Sequence, residues 1–194
     1  MVQLHFDFPG LDEGRSVDRL FWALSPPADT AASVVGLAAQ LCRDLGLHGK
    51  LIDPPRLHVT LHPLGYSVCG PRDLVAAANE AAASIRVPQF DVVFDRVMSF
   101  DRKRRDQPFV LRASHDLAAL VTFHRALGAA MMKVGLGRWV SMHFTPHMTM
   151  LYDKHVVAQR PVEPVRWTVR DFVLVHSLVG HGQHRHLAHW PLQG

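Results

Sequence analysis

Residues 56–61 read Arg56-Leu57-His58-Val59-Thr60-Leu61, and the pattern returns as Thr145-Pro146-His147-Met148-Thr149-Met150, 89 residues on from His58 to His147. Successive side chains of a strand point to opposite faces. His58 and Thr60 then share one polar face while Val59 and Leu61 hold the other to a core, and His147 and Thr149 do the same over Met148 and Met150. Two such strands side by side would form a cleft with two imidazoles and two hydroxyls. A third triplet, His143-Phe144-Thr145, runs into Pro146, which suits a strand badly. His143 reads as a flank of the second motif and a lesser candidate for the cleft.

Outward from these motifs, proline and glycine punctuate the chain. Arg19 to Leu24 predicts a strand closed by Pro26-Pro27, and Val34, Leu37, Ala38, Leu41 and Leu45 predict a helix over 28–45 that ends at Gly46. The first motif strand is expected over Leu57–Leu61, between Pro54-Pro55 and Pro63, with an alanine-rich helix over 72–86 after it. A hairpin follows, Phe90–Phe100 and Phe109–Arg112, around the charged turn 101–106. A third helix is expected over 115–134 with Ser114 as its N-cap, then strands at Met148–Tyr152 and Val169–Leu178 and a Gly/His-rich turn over 180–189. This order predicts an α+β fold: two related lobes with antiparallel sheets flanked by helices and a central cleft. Residues 1–17 are expected as a loosely ordered leader and 18–194 as a single bilobal domain.

The 194 residues carry a net charge of +4, 14 histidines and two cysteines. A mildly basic chain suits an anionic partner without demanding nucleic acid. Cys42 and Cys69 have no CxxC spacing, so neither a disulfide framework nor a structural zinc site is indicated, and both read as small, partly buried residues. No apolar run spans a bilayer and the start lacks a secretory pattern, so a cytoplasmic protein with no membrane role is expected. His181, His184, His186 and His189 invite a metal reading, yet their spacing matches no zinc signature and no Cys or acidic cluster accompanies them. No metal or cofactor is expected. Arg102-Lys103-Arg104-Arg105 could meet RNA phosphates, although a solvated hairpin tip is favoured. Trp22, Trp139 and Tyr152 could stack on a base, with a core role the favoured alternative for each.

The paired motifs suit acid–base chemistry on a cyclic phosphodiester. One imidazole activates water, the other protonates the leaving oxygen, and both can sit in the required protonation states near neutrality. The two hydroxyls can hold non-bridging phosphate oxygens, with no metal needed.

With these residues in view, the chain resembles the 2H phosphoesterase superfamily, and within it the bacterial 2′-5′ RNA ligase / RNA 2′,3′-cyclic phosphodiesterase family. The resemblance runs over about 18–192. It rests on the segments Arg19–Pro27, Arg56–Leu61 ending in Leu64-Gly65, Phe144–Met150, Phe172–Leu178 and Trp190-Pro191-Leu192. It implies a bilobal fold with both motif strands at a cleft. It also implies His58 as proton donor, His147 as proton acceptor, and Thr60 and Thr149 as phosphate-binding residues, the histidines exchanging roles in the ligase direction. The implied hydrolase opens a 2′,3′-cyclic phosphate at an RNA or nucleotide end to a 2′-phosphate, with no obligate protein partner evident. Two positions depart from the family pattern. Tyr152 stands where a basic residue is common, and His62, which shares the parity of His58 and Thr60, could line the cleft or sit at a half-exposed edge. A non-catalytic RNA- or nucleotide-binding module, or a diesterase for another small cyclic phosphoester, remains an alternative on the same fold.

Overall fold

The computed structural model describes residues 18–67, 72–100, 105–178 and 181–194. The expected leader 1–17, Cys69 and Arg102 to Arg104 lie outside the described residues. The described chain runs β1 (Asp18–Leu24), α1 (Ala28–Leu45), β2 (Val59–Ser67), α2 (Arg72–Ala83), β3 (Phe90–Ser99), β4 (Gln107–Arg112), α3 (Ala118–Lys133), β5 (His147–Asp153), β6 (Arg160–Val169), β7 (Asp171–Leu178) and β8 (Gln183–Pro191). Short 3-10 turns at Pro54–Arg56 and Gly137–Trp139 precede β2 and β5. The α+β architecture is as expected.

All strand pairs are antiparallel, in the order β6-β3-β4-β5-β2-β1-β7-β8. The order is symmetric about the β5/β2 junction, with four strands on each side. Shifting β1, α1 and β2 by 89 residues brings their starting positions within one residue of those of β4, α3 and β5. The repeat that is faint in sequence is therefore a repeated strand–helix–strand unit. At the junction β2 and β5 pair through Val59 and Met148. Farther along β5, the Ile52 amide donates to the Met150 carbonyl at 2.8 Å and Leu51 bridges Leu151. The two motif strands thus meet at their motifs, and β5 then takes another partner.

Alternation sorts β1 between two cores. Leu20, Trp22 and Leu24 join the main core with the buried faces of the helices, while Phe21 and Ala23 pack with Val173 and Val175 on the other side. Of the face expected for α1, Val34 and Ala38 are buried together with Ala31, and Leu37, Leu41 and Leu45 are partly buried against the core; α3 buries Leu120, Phe123, Leu127 and Met131. Gly46 ends α1 in the left-handed region at φ 64, a conformation glycine enters without a Cβ clash.

Four expectations are corrected. Ser114 does not cap α3, which starts at Ala118; its amide and hydroxyl donate instead to Asp95, at 2.7 and 2.6 Å. β2 does not stop at Pro63 but runs to Ser67, with register shifts on both sides of the Phe21–Pro63 pair. The span before Val169 holds the mostly exposed edge strand β6, where Pro161 and Pro164 are tolerated because an edge needs ladder bonds on one side only. The span read as a turn over 180–189 is largely β8, the opposite edge strand. Among the described residues, no helix is long and apolar enough to cross a membrane.

Candidate active site

The junction of the two halves opens into a cleft of about 270 Å³ lined by His58, Thr60, His147 and Thr149. The antiparallel pairing of Val59 with Met148 sets His58 toward Thr149 and Thr60 toward His147 along the two strands. That volume lies just below the roughly 300–1,000 Å³ of ordinary ligand pockets.

Each histidine is held in the same way. His58 Nδ1 lies 2.7 Å from the Arg56 carbonyl, and His147 Nδ1 lies 2.7 Å from the Thr145 carbonyl, in both cases two residues upstream. A carbonyl only accepts, so each Nδ1–H donates and, in the neutral ring, each Nε2 carries the lone pair. Backing rings complete the mounts: Phe21 lies 4.9 Å from His58 and Phe100 lies 4.9 Å from His147 between ring centroids. His184 packs its ring edge-on at 5.2 Å to His58 and 5.5 Å to Phe21.

The cleft is positive. Arg19 and Arg56 line it with three histidines, and no aspartate or glutamate is among its described lining residues. Burial pushes the His58 pKa below the ordinary imidazole range; the bond to the Arg56 carbonyl works the other way, and the charges of Arg56 and His186 add to the lowering. His184 is pushed down to about 3 by burial, with His58, Arg56 and His186 reinforcing the shift, so it is neutral at pH 7. The lowering disfavours imidazolium at His58 in the free protein. A bound phosphate anion beside the ring reverses that balance by favouring imidazolium.

His62, a sequence candidate for the cleft, is turned away from it. The ring is 0% exposed, stacks on His124 at 3.9 Å, lies with Nε2 2.9 Å from the His124 carbonyl and accepts the Ser141 amide at Nδ1 (3.2 Å). The cause is a bulge. Between the pairs Ala23–Thr60 and Phe21–Pro63, β1 advances two residues and β2 three, so strict alternation breaks after Thr60. Leu61 and His62 both face the core and Pro63 returns to the cleft. β5 repeats the device 89 residues on: Met150 and Leu151 are both buried, and Tyr152, 50% exposed, returns to the cleft. Tyr152 is therefore brought to the site by the same irregularity that removes His62.

The remaining candidates are dispersed. His143 is exposed and is not among the lining residues. Trp22 is fully buried against Phe172 and Trp190. Trp139 packs under Gly65, whose φ of 84 and missing Cβ let the indole approach. Arg105 and His181 are exposed, and His186 and His189 form a ring pair at 5.1 Å on β8. Among the described residues, no three His, Cys, Asp or Glu side chains come together as a metal site. Sequence reasoning missed Arg19, Phe21, Arg56 and His184 as cleft residues. Arg19 and Phe21 alternate on an anticipated strand, so two of the four were readable by the same rule; Arg56 sits in the 3-10 turn, where strand alternation does not apply.

The family model for the 2′-5′ RNA ligase superfamily matches residues 26–181. No curated protein matches the chain. Among solved structures, E. coli LigT in its apo form is similar at 23% identity and a TM-score of 0.74, covering 93% of this chain and 100% of that one. E. coli LigT complexed with 3′-AMP is similar at 24% identity and a TM-score of 0.73, covering 92% and 99%. TT0787 of Thermus thermophilus is similar at 20% identity and a TM-score of 0.67, covering 91% and 98%. At these identities the likeness is one of fold. The family match over most of the length, on a fold with both motifs at one cleft, is decisive: the chain belongs to the 2′-5′ RNA ligase superfamily of 2H phosphoesterases.

Proposed function

We propose that the chain is a metal-independent RNA 2′,3′-cyclic phosphodiesterase, acting on the cyclic phosphate end of an RNA or nucleotide to leave a 2′-phosphate. The observation that carries this reading is the shared cleft: two histidines, each anchored through Nδ1, and two threonine hydroxyls line one basic pocket with no carboxylate among its described lining residues. Membership in a superfamily of phosphoesterases supports hydrolysis as the reaction class.

In the proposed step, His147 Nε2 takes a proton from water as the water oxygen bonds to phosphorus. The bond from phosphorus to O3′ breaks, and His58 Nε2–H protonates O3′. Thr60 and Thr149 donate to the non-bridging oxygens as charge grows on them. Reverse 2′-5′ ligation uses the same groups with the histidine roles exchanged. Tyr152 offers a ring face to a base at the cleft edge.

The test is phosphorus NMR of a panel of cyclic phosphates, adenosine 2′,3′-cyclic phosphate first. Wild type yields the 2′-phosphate with EDTA present, and His58→Ala and His147→Ala each slow turnover about 10²–10⁴-fold while the circular dichroism is retained. Strict metal dependence, or wild-type turnover matched by either variant, overturns the reading. Binding without product from any cyclic phosphate identifies a binding module instead.

A further inference from the structure

The 89-residue repeat makes the cleft nearly symmetric in its histidines and threonines, but not in its charge. The carbonyl that anchors His58 belongs to Arg56; the one that anchors His147 belongs to Thr145, which carries no charge. On the His147 wall the lining residues Pro108 and Tyr152 are uncharged, and Phe100 backs the histidine. The permanent cations lining the cleft, Arg19 and Arg56, lie on the other half; Arg112, in register with His147, stands over the Phe100 ring at 5.7 Å and is not among the lining residues.

Arg56 is half-buried, and its Nε is shielded from solvent with no hydrogen-bond partner. No carboxylate among the described residues forms an ion pair with it. A guanidinium kept partly dehydrated without an acceptor is costly unless a ligand supplies one. The backbone restricts where it can go: Pro54-Pro55 stiffen the 3-10 turn, the Arg56 amide donates to the Asp53 carbonyl at 2.8 Å, and the Arg56 carbonyl is held by His58. His184, packed on His58 from β8, does not compete as a cation, since it is neutral at working pH.

We propose that the Arg56 guanidinium binds the substrate phosphate directly, supplying a fixed positive charge that the lining of the His147 wall does not carry. The proposal rests on the reading of the cleft as a phosphoester site. It orients the substrate: the anionic phosphate lies toward His58 and Arg56, and the nucleoside lies toward Tyr152. The planar fork of arginine suits two phosphate oxygens at once, whereas lysine keeps the charge and loses the fork.

The probe is inorganic phosphate, titrated calorimetrically into wild type, Arg56→Gln and Arg56→Lys. Arg56→Gln weakens binding at least ten-fold, and Arg56→Lys retains part of the affinity. Arg56→Gln also moves the high-pH fall of kcat/KM upward, because a charge facing His58 is gone while the neighbouring His184 and His186 remain; a merely structural residue does not move that limb. Phosphate protection of Arg56 from phenylglyoxal in wild type, mapped by mass spectrometry, reads the contact without any variant. Phosphate affinity of Arg56→Gln within two-fold of wild type, or modification of Arg56 at the same rate with and without phosphate, overturns the assignment. If wild type binds phosphate but opens no cyclic phosphate, the catalytic reading fails and the Arg56 assignment is still decided by the binding arms.

Discussion

At the residue scale, the donor role proposed for His58 makes its protonation decide the pH behaviour. A donor is active when protonated, so activity falls as pH rises through its pKa. Burial, with Arg56 and His186 nearby, lowers the His58 value in the free protein. The high-pH fall of kcat/KM, which reports the free enzyme, is therefore expected below the ordinary imidazole value of about 6.5. The corresponding fall of kcat is expected at higher pH, since bound phosphate favours imidazolium. Steady-state pH profiles measure both limbs; coincident limbs above 6.5 contradict the account. This scale was the most legible one in sequence. His58, Thr60, His147 and Thr149 follow from period-2 alternation over three residues, too short a span for a bulge to intervene. His62 lies beyond the bulge, where alternation cannot be extrapolated, and a bulge leaves no mark in composition.

At the scale of elements, two buried polar clusters secure the strands that carry the motifs. Asp153 ends β5 and accepts the amides of His48, Gly49 and His155 at 2.6, 2.7 and 2.9 Å, so it ties the loop after α1 to the motif strand. Burial raises its pKa, but the three amides and the His155 ring together hold it at about 2. A carboxylate lowered by folding stabilises the protein fully above its unfolded pKa of about 4 and progressively less as pH falls toward 2. Asp153→Ala is expected to cost about 2–4 kcal/mol at pH 7 by urea denaturation, since three amides lose a charged acceptor. His62 and His124 behave in the opposite chemical sense with the same sign. Burial pushes both below the usual imidazole range, His124 to about 3 with the charge of His62 assisting. His124 remains neutral in the fold while the unfolded chain takes up a proton below about pH 6.5, so acid favours unfolding by up to about 1.4 kcal/mol per pH unit through this ring, and the lowered His62 adds in the same direction. His62→Leu, which installs the residue type of its repeat counterpart Leu151, is expected to flatten the loss as pH falls below about 6.5. An unchanged slope in urea midpoints would refute this. Elements were legible where punctuation was strong, as in α1 between Pro27 and Gly46. β6 and β8 were not, because solvated edge strands need no apolar alternation and carry the Pro and His that mimic loops.

At the scale of the whole molecule, duplication explains the site. A strand–helix–strand unit repeated at 89 residues brings β2 and β5 together at the midline of an eight-stranded sheet. Each copy supplies one histidine, one threonine and one bulge. The two copies differ in what they present to the cleft: Arg19, Phe21 and Arg56 on one side, Pro108 and Tyr152 on the other. Fold class and lobe symmetry could be inferred from the spacing of the motifs. The continuity of the sheet across the junction could not, because it depends on the Val59–Met148 pairing, a contact with no signal of its own in sequence. The claim beneath all of this is that one phosphate is gripped by both histidines at once. The direct measurement is a titration of uniformly ¹⁵N-labelled protein with inorganic phosphate, following the imidazole nitrogens of both rings. The Nε2 signals of His58 and His147 are expected to shift together with a single Kd while each Nδ1 stays hydrogen-bonded. Movement of one ring alone, or of the two with separate Kd values, would contradict a shared site.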